Sequence, residues 1–311
     1  MAELPGASDQ ADLDDRADKT DKADRADKPD KVEKPKPEKV DRLDKPDTSD
    51  RERERHQSPA GASLRFVTQQ LMLKPLVWRL VDVQVHGKQH LDRLEAPFVA
   101  FANHSSHLDT PLIIGALPRR LSKYLSPGAA ADYFYDAWWK RVPTQAFINT
   151  YPIERRGLRS RKGLSGQLLQ DGVPLLIFPE GTRSRTGAMG PFTPGVAALC
   201  ISRDVPALPV ALVGAFAAWP YGQNHLPRGR PTVHVVFGPP LQPAPGEIAH
   251  QFNDRMRRTV LQLHDSTARA YGLPTLDDYA RAVTLRQAAV ASAASPDSAP
   301  DAPNAPDQKR E

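Results

Sequence analysis

The chain has 311 residues, with 42 Lys and Arg, 37 Asp and Glu, and a single cysteine, Cys200. This length allows one large domain or two small ones, and one cysteine excludes an intrachain disulfide. The sequence starts without a signal-peptide pattern, and proline and glycine interrupt the uncharged stretch from Val205 to Pro227, so we expect no membrane-spanning helix and a cytoplasmic setting.

Both ends of the sequence are predicted to be disordered. Residues 1–60 hold 14 basic and 18 acidic residues, few apolar ones and several prolines, while residues 292–311 are rich in Ala, Pro, Ser and Asp. Such segments bury too little apolar surface to offset the entropy of ordering them. We therefore predict one folded domain over residues 61–291.

The predicted domain is more basic than the whole chain. It holds 26 basic and 15 acidic residues, a net charge of +11 against +5 for the full sequence. A basic domain suits phosphate-bearing partners such as nucleic acid, an anionic membrane or a phosphorylated small molecule. No nucleic-acid-binding motif accompanies the charge, which favours the last two, and ordinary surface charge is the alternative.

The first predicted elements are two short helices, at about residues 63–73 and 75–82, separated at Pro75. Proline is tolerated in the first turn of a helix and not in its interior. The pair is heavily apolar, with basic residues between the apolar ones. Two interpretations stand: an amphipathic element at residues 63–85 that contacts a membrane, or a helical pair packed against its own domain.

A strand is predicted at Ala96–Ala102. Thr110 and Pro111 then suit the cap and first turn of a helix over Leu112–Leu117. Residues 103–109 would therefore form the loop that leads from the carboxyl end of a strand into a helix. Open α/β sheets place their ligand sites at such loops.

The same alternation continues along the chain. We predict further helices at about residues 130–141, 160–170, 193–202 and 247–271, and further strands at about residues 145–153, 174–178, 208–213 and 232–237. Strands that alternate with helices indicate an α/β domain. The expected fold is a mixed, largely parallel sheet flanked by helices, with the amphipathic two-helix element in front of it.

Three polar segments begin where predicted strands end. They are Asn103–Asp109, Pro152–Arg156 and Phe178–Ser184. Within the first, His104 and Asp109 can form a dyad, because a neutral imidazole can take a proton from a hydroxyl and a carboxylate on its other nitrogen fixes the tautomer. The sequence therefore predicts a general base at the carboxyl edge of the sheet.

Other chemistry is open at the first segment. His104, His107 and Asp109 are spaced closely enough to suggest a metal site, which is the basis of a hydrolase hypothesis. Ser105 and Ser106 suggest a nucleophile, but they lack the Gly-x-Ser-x-Gly surroundings of an activated serine. We expect them to shape the loop instead.

The second and third segments carry residues that suit an anion. Arg155, Arg156 and Arg183 offer planar guanidinium groups for a phosphate, and Gly181 lets the backbone approach a ligand closely. The alternative is that Glu154 or Glu180 pairs with an arginine and simply braces the loops.

Together these segments resemble the four sequence blocks of the glycerolipid acyltransferase superfamily, typified by 1-acylglycerol-3-phosphate acyltransferases. The blocks are Asn103-His104-x4-Asp109, Tyr151-Pro-Ile-Glu-Arg155, Phe178-Pro-Glu-Gly-Thr-Arg-Ser184 and Val205-Pro-Ala-Leu-Pro209-Val210. Their order and spacing fit the family, and the resemblance covers about residues 64–241. The third block is the most specific of the four.

The resemblance implies a role for each block. His104 would be the general base and Asp109 its partner, while Pro209 would lie near the acyl chain. Because the second block ends in paired arginines, Arg155 and Arg156 are both candidate phosphate ligands. The residues implied to bind the acceptor are Arg155, Glu180, Gly181, Thr182 and Arg183.

The resemblance also implies the reaction and its partners. The family needs no metal or other cofactor, and its acyl donor is acyl-CoA or acyl-carrier protein. The expected function is transfer of a fatty acyl group to a hydroxyl of a lysophospholipid, with 1-acylglycerol-3-phosphate as the first candidate, in phospholipid biosynthesis. A membrane surface would be a partner and nucleic acid would not, with the protein peripheral on the cytoplasmic face of the cell membrane. A metal-dependent hydrolase and a non-catalytic membrane-binding module are the alternatives.

Overall fold

A seven-stranded sheet lies at the centre of the computed structural model, which describes residues 67, 71, 73–130, 151–153, 163–223 and 225–293. Its strands are β1 (Asp82–His86), β2 (Val99–Ala102), β3 (Ser126–Ala130), β4 (Tyr151–Ile153), β5 (Leu175–Ile177), β6 (Ala207–Val213) and β7 (Thr232–Phe237). Across the sheet their order is β1-β7-β6-β2-β5-β3-β4.

Neighbouring strands run parallel everywhere in this sheet except between β6 and β7. β2 lies between β5 and β6 and is parallel to both, with Val99 opposite Leu175 on one side and Ala207 on the other. The carboxyl ends of β2, β5 and β6 therefore lie side by side along one edge. The predicted mixed, largely parallel sheet is confirmed.

Helices cover both faces of the sheet. They are α1 (Lys74–Leu80), α2 (Asp109–Ala116), α3 (Arg119–Ser122), α4 (Leu164–Gln170), α5 (Gly195–Arg203), α6 (Ala215–Ala218), α7 (Ala249–Ala270) and α8 (Leu276–Ala293). In β2, Ala100 and Ala102 pack into the core beneath α1 and α2, while Val99 and Phe101 pack into the core beneath α4, α5 and α7. Because both of its faces are buried, β2 appears in the sequence as an unbroken apolar run.

The end of the N-terminal element differs from the predicted helix. Residues 82–86, of which residue 82 was placed in a helix and residues 82–85 in a membrane-associating region, form the edge strand β1 beside β7. The physical reason is the alternation of β-branched Val83 and Val85 with polar neighbours, which is the period of a strand. The assignment of these residues to membrane-associating helices is wrong.

Helix α1 packs partly on its own domain. Val77 is buried in the core, and the Trp78 ring lies against α2, where a Cβ atom on Gly115 would stand 2.6 Å from it. Leu76, in contrast, is 56% exposed, as is 72% of Leu71 just before the helix. The element therefore combines a packed side with an exposed apolar side.

Several predicted features lie outside the described residues. These are the tails at residues 1–60 and 294–311, most of the helix at 63–73, residues 131–141 of the next predicted helix, the start of the strand at 145–153, and both Arg155 and Arg156.

Helix α8 was not predicted. It ends at Ala293, two residues beyond the predicted end of the folded domain at residue 291. Its start carries a capping box, in which Asp278 Oδ2 accepts from the Thr275 amide at 2.9 Å and Thr275 Oγ1 accepts from the Asp278 amide at 3.1 Å. A Thr followed three residues later by an acidic residue is a recognisable helix start, so the signal was present in the sequence.

Helix α8 contacts the loop that follows β5. The Tyr279 ring meets the Phe216 ring edge to face, with centroids 5.4 Å apart, and Gly187 lies against both rings. Gly187 has a φ of +86°, and a Cβ atom there would stand 2.7 Å from Tyr279 and 2.8 Å from Phe216. The loop passes this point only because position 187 has no side chain.

We expect Gly187→Ala to destabilise the protein more than Gly172→Ala. Gly172 also has a positive φ, +80°, but open space surrounds it, so alanine there should lower the free energy of unfolding by about 1 kcal/mol. At Gly187 the overlap with two rings should add about 1–3 kcal/mol. Urea unfolding of both variants measures the difference. Equal losses would show that the two rings move aside without cost.

Candidate active site

The first polar segment is fixed to the sheet by Asn103, which directly follows β2. Its side-chain Nδ2 donates to the Leu212 carbonyl at 3.0 Å, and its Oδ1 accepts from the Leu212 amide at 2.8 Å. Asn103 is buried, so this paired contact with β6 satisfies its amide and sets the starting point of the loop. The sequence pattern gave no reason to assign this anchoring role.

His104 and Asp109 form the predicted dyad. His104 Nδ1 lies 2.7 Å from Asp109 Oδ2, and the Asp109 side chain is fully buried. The same carboxylate oxygen accepts from the backbone amides of Ser105 at 2.7 Å and Ser106 at 2.9 Å. The two serines thus shape the loop through their backbone, as expected.

This arrangement also corrects the predicted start of the helix. α2 begins at Asp109, and the expected cap Thr110 lies inside its first turn. Leu108 occupies the cap position without a side-chain hydrogen bond, and the acidic Asp109 in the first turn interacts favourably with the helix dipole. Asp109 therefore lies in the first turn of α2, while its side chain accepts the backbone amides of the loop before the helix.

The dyad orients His104 for proton transfer. A carboxylate only accepts hydrogen bonds, so Nδ1 carries the proton and Nε2 is left with a lone pair. The ring stacks on Phe178 with centroids 3.9 Å apart and an interplanar angle of 15°, and 20% of the side chain is exposed. Nε2 is therefore positioned to act as a base toward a bound hydroxyl.

Glu180 ties the third segment to the first. Its Oε1 accepts from the His104 amide at 2.7 Å, and its Oε2 accepts from the Gly190 amide at 2.8 Å. The His104 carbonyl in turn accepts from the Ser184 amide at 2.7 Å. Both backbone polar groups of His104 are thus held by the loop after β5. Glu180 braces the loops through two backbone amides rather than through the arginine pair of the alternative.

The Glu180 carboxyl titrates near neutral pH. Burial raises its pKa to about 7, and the nearby Asp109 carboxylate raises it as well. The hydrogen bonds from Gly190 and His104 and the charge of Arg257 act in the opposite direction. Two amides on two different oxygens are best accepted by the ionised form, so the tie between the loops is strongest when Glu180 is charged.

The predicted acceptor-binding residues of the third block lie beside this tie. Gly181 has a φ of +72° and is exposed, as is Thr182. The Arg183 guanidinium lies 4.9 Å from the Tyr221 ring centroid, and its Nη1 is 2.5 Å from His107 Nδ1. The loop therefore presents a partly exposed cation close to the dyad. Arg155 and Arg156 lie outside the described residues.

His107 belongs with Arg183 rather than with the dyad. Burial, and then the charge of Arg183, lowers the pKa of His107 below its usual value. Within the described residues, no group of three or more His, Cys, Asp and Glu side chains is placed to hold a metal ion. The convergence of His104, His107 and Asp109 that the hydrolase hypothesis needs is therefore not found there.

An open cleft of about 510 Å³ lies along the third segment, between residues 180 and 191. Glu180 and Arg183 line it, together with the backbone around Gly190. Pro209, implied to lie near an acyl chain, is buried within β6, and its carbonyl accepts from the Gly238 amide at 3.0 Å. Sequence reasoning missed Gly190 because nothing local to it signals a contact with Glu180.

The region that holds the dyad also matches known proteins. A protein-family model described as Acyltransferase matches residues 82–213, which include β1 to β6, the His104–Asp109 dyad and the segment Phe178–Ser184. The chain is similar to a chloroplastic 1-acyl-sn-glycerol-3-phosphate acyltransferase of Brassica napus, with 25% identity over 191 residues that cover 60% of this chain and 52% of the relative. It is also similar to 1-acyl-sn-glycerol-3-phosphate acyltransferase alpha of Bos taurus, with 27% identity over 58% of this chain and 62% of the relative. The chain thus spans between half and two thirds of the length of these relatives.

A solved structure shares the fold. The crystal structure of the 1-acyl-sn-glycerophosphate acyltransferase from Thermotoga maritima matches with a TM-score of 0.51 and 22% identity, covering 63% of this chain and 78% of that one. The matching family region and the named relatives point to the same family as the sequence blocks, and the solved structure shows the same fold. Residues 82–213 therefore carry a region that matches the Acyltransferase family model, and the chain is similar to the glycerolipid acyltransferases named above.

Proposed function

We propose that this protein transfers a fatty acyl group from a thioester, acyl-CoA or acyl-carrier protein, to the free hydroxyl of 1-acylglycerol-3-phosphate. The observation that carries the proposal is the hydrogen bond between buried Asp109 and His104, which leaves Nε2 as a base at the edge of the site. Arg183 supplies a cation nearby. The names of the relatives support this choice of acceptor.

In the proposed reaction, His104 Nε2 takes the proton of the acceptor hydroxyl as its oxygen attacks the thioester carbonyl. The new C–O bond forms, the C–S bond breaks, and the proton passes to the departing thiolate. Asp109 stabilises the imidazolium that exists between these events. No metal or other cofactor takes part in these steps.

We propose direct transfer, without an acyl-enzyme intermediate. Cys200 is buried within α5, and burial raises the pKa of its thiol to about 12, so it is a poor nucleophile. The Ser106 hydroxyl donates to the Trp219 carbonyl at 2.8 Å, and Ser105 is buried beside it. A thioester is already activated, so an acceptor hydroxyl deprotonated in place can attack it directly.

We also propose that the protein acts while bound peripherally to the cytoplasmic face of the cell membrane. The proposed acceptor and product are lipids, so the site must work at a bilayer surface. Exposed Leu71 and Leu76 would enter the interface, while Lys74 and Arg79 would face anionic headgroups. Among the helices that the structure describes, none is long and apolar enough to cross a membrane.

The dyad makes the first test. With labelled acyl-CoA and 1-acylglycerol-3-phosphate, His104→Ala should lower kcat by roughly 10²–10⁴-fold, because that is the usual contribution of a general base. Asp109→Asn should also be severe, since an amide cannot stabilise imidazolium. Exposed His250→Ala on α7 is the matched control and should match the unaltered protein. A stoichiometric acyl adduct on Cys200 or a serine, passed on when acceptor is added, would refute direct transfer.

Arg183→Ala should mainly impair acceptors that carry a phosphate. A charge-assisted hydrogen bond is worth roughly 1.5–3 kcal/mol, so kcat/KM for 1-acylglycerol-3-phosphate should fall roughly 10–100-fold. The same assay with 1-monoacylglycerol should be much less affected. Exposed Arg228→Ala controls for the loss of a positive charge. An equal loss on both acceptors would assign Arg183 to loop bracing.

Flotation with vesicles that contain anionic lipid tests the membrane proposal. Replacing Leu71 and Leu76 with Gln should release the protein from the vesicles, because their apolar side chains no longer enter the interface. Leu285→Gln on α8 removes an equally exposed leucine, 70% accessible, and should leave binding unchanged. If all the variants bind alike, residues 71–79 are not the membrane contact.

A further inference from the structure

Helix α7, which follows the matched family region, reaches the site through Asn253. Its Nδ2 donates to the Phe192 carbonyl at 2.9 Å, and the residue is only 5% exposed. Phe192 is itself buried and meets Phe101 of β2 edge to face, with ring centroids 6.4 Å apart. Asn253 therefore fixes the chain just after Gly190.

From Gly190 a continuous path leads to the dyad. The Gly190 amide donates to Glu180 Oε2 at 2.8 Å, and Glu180 Oε1 accepts from the His104 amide at 2.7 Å. The approach is close, since a Cβ atom at position 190 would stand 3.2 Å from Glu180 Oε2. A shift of residues 190–192 would therefore be transmitted to His104 through the Glu180 carboxylate.

Arg257 lies one turn after Asn253 on the same face of α7. Its positive charge lowers the pKa of Glu180. Its Nε is buried, and among the described residues it has no hydrogen-bond partner. A buried guanidinium nitrogen without a partner costs free energy. The attraction between the Arg257 charge and the Glu180 carboxylate offsets part of that cost.

We propose that Asn253 and Arg257 are positioning residues for His104, and that they act through Glu180. Asn253 would present the Gly190 amide, and Arg257 would favour the charged carboxylate that accepts both amides. The inference rests on the proposed acyl transfer, because the kinetic test measures that reaction. Its effect on the pKa of Glu180 can be measured without turnover.

The state of Glu180 is finely balanced. Burial and the Asp109 carboxylate raise its pKa to about 7. The Gly190 and His104 amides and the charge of Arg257 act in the opposite direction. Once protonated, one of its oxygens becomes a donor that faces an amide N–H, so one of the two ties is lost. Removing the charge of Arg257 should raise this pKa, and the tied state should then require a higher pH.

The test compares kcat against pH in Arg257→Met, Arg257→Lys, Asn253→Leu and the control Arg258→Met, whose residue is exposed on the same helix. In Arg257→Met the acid limb should move to higher pH. A shift of about half a unit would lower kcat roughly 3-fold at about pH 6 and little in the alkaline range. Asn253→Leu should shift the limb in the same direction, Arg257→Lys should restore it, Arg258→Met should leave it in place, and KM for the acyl donor should not change.

A purely structural role would give a different pattern. If Arg257→Met lowers the melting temperature and scales kcat equally at every pH, and Arg257→Lys does not restore it, the proposal is overturned.

A second measurement does not depend on turnover. Carbon-13 NMR of protein labelled at glutamate carboxyls follows the titration of Glu180, whose signal is identified by its loss in Glu180→Gln. A higher pKa in Arg257→Met supports the inference, and an unchanged pKa refutes it. If the unaltered protein transfers no acyl group to any lysophospholipid, the proposed function fails while this titration still decides the inference.

Discussion

The site depends on the burial of one carboxylate. Asp109 is fully buried at the start of α2, and its Oδ1 has no hydrogen-bond partner among the described residues, so the donors that stabilise the charge all act on Oδ2. Its Oδ2 takes three of them: the His104 ring and the amides of Ser105 and Ser106. Satisfying this oxygen therefore closes the loop after β2 and fixes the histidine tautomer. The need to give one buried carboxylate oxygen its hydrogen bonds therefore accounts for the local shape of residues 104–109.

The sheet supplies what the loop alone cannot. β2 and β5 are parallel neighbours, so the segments that follow them leave the sheet side by side. Glu180 can then accept the amides of His104 and Gly190 with its two oxygens, and Phe178 can stack on the imidazole. Preorganisation of this kind holds the His104 ring in place, and in the proposed reaction it would position the base before substrate arrives.

The last third of the chain braces the site from outside the matched region. Asn253 of α7 holds the Phe192 carbonyl, and Tyr279 of α8 packs on Gly187 in the same loop. These contacts join residues 61 and 92 positions apart in sequence. The loop that carries Arg183 is thus supported near its middle and near its end by helices that carry no recognisable catalytic block.

The sequence by itself determined the alternation of strands and helices, the His104–Asp109 pair and the position of Arg183, because each depends on residues close together in the chain. It also contained the Thr275–Asp278 helix start, although that signal was not used. Only the tertiary structure decided that the strand at residues 82–86 lies at the sheet edge beside β7, that Glu180 accepts two backbone amides, and that Asn253 and Gly190 belong to the site. The physical reason is that a hydrogen bond between distant segments depends on which strands are neighbours, and local periodicity carries no record of that order.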